Sequence, residues 1–85
     1  MKASVFDTYV TKTTGTVMHF DIVVPEGTSF NKVQLYGVQY LGQKGQGSQQ
    51  LSTNECKFCH IEEATAVMEQ DIQEKGYHII EMEGC

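Results

Sequence analysis

Apolar and polar residues alternate from Ala3 to Thr11 and again, more cleanly, from Val17 to Val24, where Met18, Phe20, Ile22 and Val24 share one side. A period of two marks a strand with one buried face. Between the runs sits Lys12-Thr13-Thr14-Gly15-Thr16, polar throughout and with a glycine that accepts positive φ, so an N-terminal β-hairpin is predicted. Pro25 has no N–H to give a ladder and ends the second strand.

The period then changes. Over residues 29–42 the apolar positions Phe30, Val33, Tyr40 and Leu41 fall with Gly37 on one helical face, and Thr28 or Ser29 can cap the helix. Gly37 lowers helix propensity, but on a buried face it lets the helix sit close to a sheet. Residues 42–50 are rich in Gly, Gln and Ser and predict a loop. Ser52-Thr53-Asn54-Glu55 has the form of a capping box and predicts a helical turn, followed by a short strand over Phe58–Glu62. Val67, Met68, Asp71, Ile72 and Lys75 mark an amphipathic helix over Thr65–Lys75, with Gly76 as its stop. Tyr77–Met82 predicts a strand with both faces partly apolar. The order ββαβαβ implies an α+β fold in two layers: one mixed sheet opened by the hairpin, with both helices packed on one face.

Length bears on how this is organised. Eighty-five residues leave no room for a second core, so residues 1–85 are expected to form a single domain. A chain that is 40% apolar, with one proline and no low-complexity tract, should fold alone. No apolar stretch approaches the ~18–20 residues that span a bilayer. Met1–Asp7 lacks the apolar core of a signal peptide. Both points lead to the expectation of a cytoplasmic protein with no membrane partner, whose Cys56, Cys59 and Cys85 stay thiols or ligands in a reducing compartment.

Charge excludes one class of partner. The net charge is −5 and arginine is absent, which removes both the electrostatics and the planar fork that phosphate recognition uses, so no nucleic-acid partner is expected. Seven of the eleven acids lie between Glu62 and Glu83, where Lys75 is the only lysine. A solvated acidic face accounts for this; a docking surface for a basic protein is the alternative. A small-molecule partner is equally open.

Two constellations carry possible chemistry. The first is Cys56-Lys57-Phe58-Cys59-His60, the Cys-x-x-Cys-His pattern that attaches c-type haem. Context speaks against haem: attachment follows export, and only 25 residues remain after His60 to wrap a porphyrin. Zinc suits the residues better, with Cys56 and Cys59 as a thiolate pair and His60 or Cys85 (or His78) completing a tetrahedron. That chelation requires a turn, because strand positions three apart point to opposite faces. A thioredoxin-like pair needs a preceding strand and a helix N-terminus, which this stretch lacks. The bland alternative is two small buried thiols beside a satisfied histidine.

The second is His19 with Asp21, which alternation puts on one face of the second strand. A histidine beside a carboxylate is a general base with its orienting partner. The hairpin register decides the rest. If Thr11 pairs with Val17, Tyr9 faces His19 and Asp7 faces Asp21, and two opposed carboxylates beside an imidazole invite a cation or a raised pKa. One residue less in the loop sends Asp7 to the other face. His78 reads as a strand residue, and Tyr36 and Tyr40 as packing. No phosphate loop, nucleophile elbow or His-Glu-x-x-His is present.

Asp7-Thr8-Tyr9-Val10, Met18–Ile22, Glu55–Glu62 and Lys75–Cys85, in this order, resemble a small bacterial family known as domain of unknown function twenty-twenty-four. The resemblance runs essentially end to end and implies a free-standing domain of this length. It implies no catalytic residues. Two classes of function therefore stay open: a binding protein with a metal on Cys56, Cys59, His60 and Cys85, or a small enzyme using His19, Asp21 and Asp7.

Overall fold

The computed structural model describes residues 1–49 and 51–85. The elements are β1 (Lys2–Thr11), β2 (Val17–Pro25), α1 (Phe30–Gln43), β3 (Cys56–Glu63), α2 (Ala66–Lys75) and β4 (His78–Glu83), so the α+β class and the ββαβαβ order both hold. Local chemistry sets their ends. The Ser29 side chain accepts from the Lys32 N–H at the start of α1. Thr65 does the same for Met68 at the start of α2, and Gly76, at φ 95°, closes that helix in the left-handed conformation. Ser52 and Glu55 bond to each other as the capping pattern predicts, and the turn they make leads straight into β3. Gln50, the last residue of the predicted loop, lies outside the described residues.

The strands lie in the order β3-β1-β2-β4. Every pairing is antiparallel, which corrects the expected mixed sheet. Strands β2 and β3 do run the same way, as a helical crossover demands. Strand β1 lies between them, however, so they never become neighbours.

The helices occupy opposite faces of the sheet, a second correction to the expected layering. Phe6, Val10, Met18, Phe20, Ile22 and Val24 point to the side where α1 lays Val33, Tyr40 and Leu41, and Leu51 and Tyr77 complete that core. Ala3, Val5 and Val23 point the other way, against Met68 of α2. The geometry of the edges explains this. Strands β3 and β4 form the two edges and run antiparallel to each other, so β3 ends and β4 begins at the same end of the sheet. Three strand spacings of ~4.8 Å separate them, about 14 Å. A helix the length of α2 spans about 15 Å. It therefore crosses that end on the face α1 has not taken, and leaves the middle of this second face uncovered.

Gly37 does lie on the buried face, but the space it leaves is taken chiefly by Leu51. A Cβ at Gly37 would overlap the Leu51 Cδ2 and press on Ile22. Each edge strand carries one unpaired residue, Cys59 in β3 and Met82 in β4. Such bulges disfavour edge-to-edge association. Among the described residues no helix is long and apolar enough to cross a membrane.

Candidate functional site

The face left open by α2 is where the second constellation assembles. The hairpin adopts the register with Thr11 opposite Val17, so Tyr9 pairs with His19 and Asp7 with Asp21. Asp7, His19 and Asp21 each bring one ligand atom within 4.8 Å of the others. His19 Nε2 lies 2.6 Å from Asp7 Oδ1, and the Tyr9 ring stacks on the imidazole at 4.1 Å between centroids and 10° between planes. Hydrogen bond and stacking together orient the ring.

Asp21 is the buried member, 7% exposed, whereas Asp7 and His19 are half-buried. Burial pushes the Asp21 carboxyl above the usual carboxylate range, and the facing Asp7 pushes the same way. The nearby imidazoles of His19 and His60 oppose the shift. Like charges directly opposed on a ladder are destabilising, so this pair costs stability wherever both groups are ionised. Lys57 stands opposite Asp7 on β3 and Glu83 opposite His19 on β4. Neither was legible in the sequence, because edge-strand register depends on bulges that leave no local pattern.

The cysteine constellation does not come together. Cys56 is buried beneath the α1 face, where Thr8 Oγ1 donates to its Sγ at 3.4 Å and burial pushes the thiol up. Cys59 is exposed. Cys85 lies beyond β4, its Sγ donating to the His19 and Glu83 carbonyls, with β1 and β2 separating β3 from β4. The extended strand, rather than a turn, is the physical reason: Cys59 and His60 stay adjacent, but Cys56 is buried on the α1 side and Cys85 lies by the opposite edge strand, so the four do not wrap round an ion. Among the described residues, the one group of three His, Cys, Asp or Glu side chains whose ligand atoms converge in this way is Asp7, His19 and Asp21.

The remaining candidates have packing roles. His78 Nδ1 pairs with Asp71 at 2.6 Å and ties β4 to α2, which holds the Asp71 carboxyl below its ordinary range. Tyr36 stacks on Tyr77 at 4.8 Å, and Tyr40 donates to Glu81, which also meets Lys44 at 2.8 Å. Two clefts, of ≈ 480 and ≈ 370 Å³, lie by the β2–α1 turn and by Val10 and Ser48; neither is lined by Asp7, His19 or Asp21.

No curated protein matches the chain. Its fold is similar to the NMR structure of protein NE1680 from Nitrosomonas europaea, a structural-genomics target, with a TM-score of 0.87 and 36% identity over 100% of this chain and 99% of that one. The sequence profile described as Domain of unknown function (DUF2024) matches residues 1–82, and the chain belongs to that family.

Proposed function

We propose that this protein is a small cytoplasmic metal-binding domain that holds one divalent transition-metal ion on Asp7, His19 and Asp21. The supporting observation is the convergence of two carboxylates and an imidazole within 4.8 Å on the sheet face opposite α1. A cation there removes the repulsion between the facing carboxylates and competes with the proton that burial favours on Asp21. One imidazole nitrogen with two carboxylate oxygens suits zinc, manganese or iron(II) better than magnesium or calcium, which take oxygen alone. Ion binding is favoured over the alternative in which His19 is the general base of an enzyme, since the three residues line neither of the two clefts described above.

The reading makes no use of nucleic acid or membrane, in line with the net charge of −5. Its test is calorimetric titration of zinc and of manganese into chelator-treated protein, with Asp7→Asn and Asp21→Asn alongside. About one ion bound per chain, weakened at least ten-fold in either variant, supports the site. No saturable binding, or binding that both variants retain, overturns it.

A further inference from the structure

Strand β3 holds one residue more than β1 can pair. Val5 stands opposite His60 and Phe6 opposite Phe58, with Cys59 left between. In a regular strand consecutive side chains point to opposite faces. The bulge breaks that alternation, and Cys59 Sγ lies 3.2 Å from Nδ1 of the next residue, His60. The other ring nitrogen, Nε2, lies 2.7 Å from Glu62 Oε1. A thiol, an imidazole and a carboxylate thus form one hydrogen-bonded line.

Each link has a chemical role. Nε2–H donating to the Glu62 carboxylate sets the tautomer and leaves the Nδ1 lone pair directed at the thiol. The carboxylate also stabilises the imidazolium formed when the thiol gives up its proton. The other two cysteines lack such a base: Cys56 is buried against Thr8, and the Cys85 thiol is directed at backbone carbonyls.

We propose that Cys59, His60 and Glu62 form a thiol–disulfide exchange site that takes small-molecule disulfides. The Cys59 proton passes to His60 Nδ1 as Sγ bonds to one sulfur of the disulfide. The S–S bond breaks, its electron pair leaves on the second sulfur, and that thiolate takes up a proton from the imidazolium or from water. The products are a mixed disulfide on Cys59 and one small thiol, so the incoming disulfide is the oxidant and nothing else is consumed. Cys56 sits on the other face of the sheet and cannot resolve the mixed disulfide. The product persists until an external thiol reverses it, which makes this a modification site. It uses none of the residues of the proposed metal site.

The test uses dithiobisnitrobenzoate, itself a small disulfide, with the folded, chelator-treated full chain and absorbance detection. The expected result is one fast-reacting thiol per chain, located at Cys59 by mass spectrometry and absent in Cys59→Ser. His60→Gln should slow that phase about five- to ten-fold near pH 7, a modest share of what general bases supply because the site is exposed. The variant and the wild type should converge near pH ~9.5, where thiols ionise unaided. A merely structural role for His60 does not produce that convergence. Glu62→Gln should fall between the two at neutral pH. Fast reaction at Cys85 instead, or a rate at pH 7 unchanged by His60→Gln, overturns the proposal.

Discussion

Asp7 and Asp21 face each other across the β1–β2 ladder, and the more buried of the two is the one whose carboxyl is held above its usual range. A raised folded-state pKa means the folded protein binds this proton more tightly than the unfolded chain does. The associated stability is present below the unfolded value, ~3.9, and is lost as pH rises through the folded one. Asp21→Asn keeps the shape and leaves an amide that donates to Asp7. In chelator at pH 7 it is expected to raise Tm by about 2–6 °C, what ~0.5–1 kcal/mol yields in a domain of this size. Below pH ~3, where the wild-type carboxyl is protonated, the two proteins should melt together. Thermal unfolding at the two pH values is the check; a variant less stable at pH 7 contradicts the assignment.

The same proton competes with a metal. Because Asp21 holds it more strongly than an ordinary aspartate does, zinc affinity at the proposed site is expected to fall as pH drops, beginning above the usual carboxylate range. Calorimetry in buffers of different ionisation enthalpy should detect proton release on binding in mildly acid solution. Affinity independent of pH between about 5 and 7 argues against this ligand set.

Asp71 shows the opposite sign. His78 hydrogen-bonds its carboxylate and lowers its pKa, so the stability it contributes is present above the unfolded value of ~3.9 and is lost as pH falls through the folded one. Asp71→Asn is expected to melt lower than wild type at pH 6, with the gap closing toward pH 2. A gap that persists in acid assigns the loss to packing rather than to the pair.

Leu51 fills the space above Gly37. Truncating it, Leu51→Ala, is expected to cost about 2–4 kcal/mol, the range for emptying a buried leucine site. Gly37→Ala alone forces the Leu51 side chain aside, whereas in the Leu51→Ala background the added methyl enters the vacated space. The two changes should therefore couple favourably by about 1 kcal/mol in denaturant melts, and simple additivity argues against the contact.

Much of this was legible along the chain because its cause is local. The two alternating runs, the five-residue polar connection between them, the Ser29 and Thr65 caps and the Gly76 stop each depend on residues a turn or two apart. The connection left two registers open, and only the pairing of Thr11 with Val17 in the folded sheet selects the one in which Asp7, His19 and Asp21 meet. The cysteine motif is the instructive failure. Its spacing matches a metal or haem pattern, but spacing alone does not make the turn that chelation requires, and in β3 the chain is extended.

The order of elements, their caps and the apolar side of the hairpin are written in the local residue pattern, since each is set by short-range sterics and hydrogen bonding. Tertiary structure alone decided that β1 separates β2 from β3, that α2 crosses the face opposite α1, that Leu51 is buried and that a bulge sets Cys59 beside His60. These features follow from how far apart the sheet edges stand and which face is already covered, distances that exist only once the strands have paired.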